Sequence, residues 1–145
     1  MVKKIIVILL CIFCFSSCQK ESDDSREIYR RLMKSAVVDY DTAWKGQYLE
    51  DGKFSDYILA YSVRDKHIKL TVINHPTADS VEEEYTKELQ VVDNGKNWTT
   101  LAPIGIKNIE EYKSVNGLKF IVISALTGEL RSLDGQFVVA MKRIK

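Results

Sequence analysis

The sequence has few of the groups that would cross-link it or equip it for catalysis. It has three cysteines in 145 residues. Cys11 and Cys14 lie inside an apolar run near the N-terminus, so Cys18 is the only thiol beyond that run and no disulfide can form within the remainder. Its two histidines, His67 and His75, are expected at opposite ends of one strand, too far apart to share a metal in one protomer. The seven glycines form neither a P-loop nor a dinucleotide-binding pattern. There is no G-x-S-x-G and no nucleophile beside a base, which argues against acyl transfer. Neither sign of charge dominates, with 21 basic and 20 acidic residues. That balance excludes electrostatically driven nucleic-acid binding. No repeat or low-complexity segment is present.

What is present begins at the N-terminus. Lys3 and Lys4 are followed by eleven consecutive apolar residues, Ile5 to Phe15. A spanning helix needs about 20 such residues, whereas eleven suits a signal-peptide core. Phe15-Ser16-Ser17-Cys18 follows, with two small residues before the cysteine. This stretch resembles the lipobox of bacterial lipoproteins, with Phe15 where leucine is usual. The resemblance implies that residues 1–17 are a cleaved signal peptide and that Cys18 carries a diacylglyceryl thioether and an N-acyl chain. Two or more acyl chains anchor a protein stably where one does not. The leader would remove two of the 21 basic residues and none of the 20 acids, leaving the mature chain at net −1.

The lipidated Cys18 and a polar tether form segment 18–25, and 26–145 is expected to be a single globular domain. Gln19-Lys20 followed by Glu21, Asp23 and Asp24 is similar to the export signal of surface lipoproteins in one Gram-negative phylum. The resemblance implies an outer-membrane location with the domain at the cell surface; the alternative is the periplasmic face.

Asp24 and Glu27 have capping-box spacing, and Ile28, Tyr29, Leu32, Met33, Ala36, Val37 and Tyr40 form a helical stripe opposite Arg26, Arg30, Arg31 and Lys34. This first helix is expected to end anywhere from 38 to 45. Tyr57–Val63 and Ile68–Val72 alternate as a hairpin, with Val63 expected opposite Ile68 and Leu59 opposite Val72. Gln47–Glu50, with Asp51-Gly52 as a turn, adds an edge strand. Residues 80–92 carry a Ser80/Glu83 capping box, an apolar stripe through Tyr85 and Leu89, and Asn94-Gly95 as a stop, which together predict a second helix. Strands follow at Trp98–Ile106, Ile109–Val115, Leu118–Ala125 and Gln136–Ile144. Leu118–Ala125 is apolar on both faces, which predicts a central strand covered on both sides.

The fold expected is therefore α+β, an antiparallel sheet of about five to seven strands with an N-terminal helix and one inserted helix. SVEEEYTKELQVV, GKNW and SVNGLKF within Tyr57–Met141 resemble the Mog1/PsbP-like α/β sandwich. The alternative is a lipocalin-like β-barrel with an N-terminal helix. Trp44-Lys45-Gly46-Gln47-Tyr48 looks like the W-x-G strand that opens such a barrel, and this reading requires residues 79–92 to be strand.

The function expected is a non-catalytic binding or scaffolding module of the cell envelope, without cofactor or metal. Its partners would be the bilayer, through acylated Cys18, and an envelope protein or glycan. An immunity or inhibitor lipoprotein is the alternative, and a small envelope hydrolase a third reading. Tyr48, Tyr57, Tyr61, Trp44 and Trp98 are candidates to line a sugar or peptide groove, although core packing also explains them. Glu82-Glu83-Glu84 reads as the acidic first turn of a helix rather than a cation site. Asp41-Thr42-Ala43 and Asp79-Ser80-Val81 are similar to the O-glycosylation acceptor of exported proteins in the same phylum, which makes Thr42 and Ser80 candidate glycosylation sites. The lipid anchor is directly testable. Cys18→Ala is expected to abolish incorporation of a palmitate analogue, and label retained by that variant would contradict lipidation at Cys18.

Overall fold

The computed structural model describes residues 24–77, 80–105 and 117–145. Helix α1 covers residues 24–37. Eight strands follow: β1 (Thr42–Glu50), β2 (Lys53–Ser62), β3 (His67–Thr77), β4 (Ser80–Asn94), β5 (Trp98–Pro103), β6 (Leu118–Val122), β7 (Thr127–Ser132) and β8 (Val138–Arg143). Each pairs antiparallel with the next, and β8 pairs back onto β1 to close a barrel. The described residues are thus mostly β with one helix. This fits the lipocalin-like alternative and overturns the expected open sheet of five to seven strands and its two-layer sandwich.

Closure depends on Gly46. The residue pairs with Met141 across the β1–β8 seam. A Cβ there would lie 2.4 Å from the Ala140 carbonyl oxygen and 2.5 Å from a Val139 methyl. Backbone cannot yield to such contacts, so only glycine lets the two strands meet. Trp44, two residues earlier on the same inward face, packs edge-on against Phe120 with ring centroids 5.1 Å apart. Leu59, Leu70, Val72, Leu89, Leu101, Leu130, Val139 and Met141 complete the barrel core. Apolar residues fill the inside, while the outside carries Lys45, Lys69, Lys119 and Lys142, the reverse of a barrel built to face lipid.

Residues 80–92 are strand, not helix. Ile68 to Thr77 of β3 pairs with the first part of β4, from Ser80 to Leu89, and β5 pairs with its last part, from Leu89 to Asn94. This division of one 15-residue strand between two neighbours supplies part of the stagger a closed barrel needs. Ladder pairing to β3 and then to β5 outweighs the local helix signals, because helix propensity is a weak preference that pairing overrides. A register shift between Val72 and Ile73, opposite Tyr85 and Glu83, flips the face of β4. Tyr85 and Leu89 therefore face the barrel core, while Val81 packs under α1.

Other expectations need smaller corrections. The first helix stops at residue 37, and Trp44 belongs to β1. Asp51 and Gly52 form the expected tight turn, both with positive φ, and join β1 to β2. In the β2–β3 hairpin Tyr61 faces Ile68 and Leu59 faces Leu70. The pairing is two residues from the expected one, so the same side chains still face inward. The connection is a four-residue loop, 63–66, with Lys66 at φ 54°. Strand β5 ends at Pro103 and β8 at Arg143. The β7 strand was not expected, because TGELRS has only one large apolar residue. The expected strand at 109–115 lies outside the described residues.

Leu118–Ala125 is not a two-sided central strand. It shortens to Leu118–Val122, and only Phe120, 6% exposed, is buried among its large side chains. Ile123 is 63% exposed beyond the strand's end. A barrel wall has one apolar face, and among the described residues no helix covers the outer face of β6.

Helix α1 packs on the outside of β2 and β3. Ala36 meets Ile58 and Ile73, with Tyr29, Leu32, Met33, Val37 and Val81 around them. Lys69 Nζ donates to the Ser35 carbonyl at 3.2 Å and Lys145 Nζ to the Val37 carbonyl at 2.9 Å. Both place a cation at the negative end of the helix dipole. Tyr29 lies against His75, late in β3, and Ser35 against Lys69, early in β3, so α1 runs antiparallel to β3.

The one-sided wall makes a prediction. Phe120→Ala is expected to cost about 3–5 kcal/mol. Ile121→Ala, on the half-buried outer face, is expected to cost about 1 kcal/mol or less. Urea melts giving equal losses for the two would contradict a barrel wall.

Candidate functional site

Two constellations stand out among the described residues. The first is the mouth of the barrel, at the end where β1, β3, β5 and β7 finish. A cavity of about 750 Å³ opens there. One wall is aromatic: Tyr48 and Tyr57 lie 4.7 Å and 5.1 Å from Phe137 by ring centroids, and Tyr48 and Tyr57 meet edge to face at 6.4 Å. These residues point inward by the period-two alternation of β1 and β2 and by Phe137's place just before β8. The facing wall comes from Tyr85 and Leu89 of β4, Leu101 and Pro103 of β5, and Leu118 of β6. Lys87 is the one cation that lines the cavity among the described residues, and its ammonium lies 5.2 Å from the centroid of the Tyr85 ring. At the rim the Asp134 carboxylate accepts hydrogen bonds from Ser132 Oγ and, at 3.0 Å, from the Gln136 amide. The Ser132 bond chiefly, then the Gln136 amide, hold the Asp134 pKa below the usual carboxylate range. The stability this adds is present above the unfolded carboxylate pKa and is lost as pH falls through the lowered one.

The second constellation lies outside the barrel, beneath α1. Asp56 is fully buried on the outer face of β2. Its Oδ2 is 2.8 Å from His75 Nε2. Lys45 Nζ is 3.8 Å from Oδ1, an ion pair too long for a hydrogen bond, and Oδ1 has no hydrogen-bond partner. The His75 ring stacks on Phe54 at 4.0 Å and 15°, and Tyr29 of α1 closes over it at 5.5 Å. Lys45 Nζ also sits 5.2 Å from the Tyr29 ring centroid. Burial pushes the Tyr29 hydroxyl pKa up, Lys45 opposes this, and the Asp56 carboxylate adds to it. The neutral phenol therefore contributes stability that holds below the ordinary tyrosine pKa and is lost as pH rises through the raised value. This cluster ties α1 to β1, β2 and β3.

The sequence-predicted residues divide between these places. Tyr48 and Tyr57 line the mouth, while Trp44 and Tyr61 belong to the packed core. Trp98 is half-buried, with the Lys119 ammonium 4.4 Å from its ring centroid. His67 and His75 do stand at opposite ends of β3, but His75 is a paired strand residue rather than a turn residue. Thr42 opens β1 at 7% exposure, and Ser80 is half-buried at the start of β4. Cys18 and residues 19–23 of the tether lie outside the described residues, as do Asp79 and the side chains of Glu83 and Glu84, whereas Asp24 and Ser25, expected in the tether, belong to α1. Among the described residues no group of three His, Cys, Asp or Glu could hold a metal. The Asp56 cluster was missed, although Ile58 and Ile73 on the outer face of β2 and β3 signal a cover.

No family model, curated protein or solved structure matches the chain. Among the described residues no helix is long and apolar enough to cross a membrane.

The buried carboxylate has a measurable consequence. Asp56→Ala leaves His75 and Lys45 without their anion and is expected to cost about 3–5 kcal/mol. An Asp56→Leu/His75→Phe double variant is expected to recover part of that loss. Urea melts placing Asp56→Ala within about 0.5 kcal/mol of the parent would contradict a structural role for the cluster.

Proposed function

We propose that the protein is a lipid-anchored, non-catalytic binding module of the cell envelope, and that its ligand site is the barrel mouth. The observation that carries this reading is the cavity bounded by Tyr48, Tyr57 and Phe137 on one side and by Tyr85 and Lys87 on the other. Aromatic faces give apolar contact area at low conformational cost, and phenol hydroxyls supply polar ends. A concave, mostly apolar pocket with a few polar groups is the usual form of a small-ligand site. The ligand expected is amphipathic: a flat apolar face against the aromatic wall and a polar or anionic end toward Lys87, as a glycolipid or an aromatic-bearing glycan offers. The lipid anchor rests on Phe15-Ser16-Ser17-Cys18, which also supports an outer-membrane site, at the cell surface or on the periplasmic face.

The test is native mass spectrometry of the full chain purified from its own membranes. A co-purifying small molecule is expected, and Tyr57→Ala with Phe137→Ala should lose it while the circular dichroism spectrum keeps its strand signature. An empty parent protein that shows no thermal shift with a panel of glycans and amphiphiles would overturn the reading.

A further inference from the structure

Helix α1 has a second face that the barrel does not use. On a helix of 3.6 residues per turn, Arg26, Arg30, Arg31 and Lys34 fall within an arc of roughly 140°, centred roughly 120° round the helix from the face that packs on β2 and β3. All four are exposed, and the only acid among them is Glu27. No described acid lies within 4.0 Å of these four cations. The mature chain as a whole is close to neutral, so this is a local concentration of charge. The six residue steps from Cys18 to Asp24 span at most about 22 Å when extended.

We propose that the Arg26–Lys34 face of α1 docks on anionic phosphate headgroups of the bilayer that holds Cys18, so that the barrel lies on its side. The inference rests on the lipid anchor proposed above. The short tether holds the helix within reach of the surface, and guanidinium groups pair with phosphate in bidentate fashion. Basic residues that close to an anionic leaflet are each attracted appreciably, and salt screens the attraction. Helix α1 covers β2 and β3, so β5 to β7 on the opposite wall would face away from the membrane, and the mouth would open along its surface.

The experiment places the full lipidated chain in neutral phosphatidylcholine vesicles and in vesicles with about 30 mol% phosphatidylglycerol. Arginine modification by phenylglyoxal is then followed site by site. Flotation with the neutral vesicles reports the anchor by itself. Arg26, Arg30 and Arg31 are expected to react roughly tenfold more slowly in the anionic vesicles only, with the protection lost at about 0.5 M salt. Arg131, on β7, should react alike in both. Flotation with equal reactivity at Arg26, Arg30 and Arg31 in the two vesicle types would overturn the docking while leaving the anchor intact. A chain that fails to float with neutral vesicles lacks the anchor, and the proposal falls with it. Protection that spreads equally to Arg131 would show a nonspecific coat rather than one docked face, and would also overturn it.

Discussion

The contact between β1 and β8 is the constraint on which the rest of the structure depends. Seven of the eight strand pairings join neighbours in sequence, and any open meander would make them. The eighth brings Trp44, Lys45 and Gly46 against Arg143, Lys142 and Met141. It removes both sheet edges at once, and with them the template for edge-to-edge association. It also turns one apolar face into an enclosed interior. Gly46 permits the approach because the Ala140 carbonyl occupies the space a side chain would need. The C-terminal residues reinforce the seam, with Ile144 N donating to the Ala43 carbonyl at 2.9 Å.

Closure then decides what each remaining surface can do. The interior is filled by aliphatic side chains, Trp44 and Phe120 through most of its depth and opens into a cavity where Tyr48, Tyr57 and Phe137 line the mouth. The outer wall over β2 and β3 carries Ile58 and Ile73, which would be exposed without α1. Asp56 is buried by the same cover, and a buried carboxylate is tolerable only with His75 and Lys45 beside it. Site and scaffold are therefore separate. The Asp56 cluster holds the helix, and it lies apart from the aromatic mouth proposed as the ligand site.

The parts of this arrangement that local chemistry determines were legible in the sequence. The Asp51-Gly52 turn and the inward faces of β2 and β3 follow from turn residues and alternation. The W-x-G pattern at Trp44–Gly46 pointed to the barrel. What local chemistry does not determine was misread. Ser80–Val92 has the caps and stripe of a helix, yet Tyr85 and Leu89, four residues apart, also share one face of a strand. Only its two partner strands decide between them. β7 was invisible because its inward positions include Gly128 and Ser132, with Leu130 alone apolar. Asp56 and His75 are 19 residues apart, and nothing in either segment announces that α1 will bury them together.

Backbone hydrogen exchange across the seam tests the central claim most directly. In a closed barrel the ladder amides of Trp44–Gly46 and of Met141–Arg143 exchange as slowly as those in the middle of β2 and β3. Exchange at both segments at the rate of exposed sheet edges, while β2 and β3 stay protected, would mean that the sheet is open and that the mouth does not exist as a site.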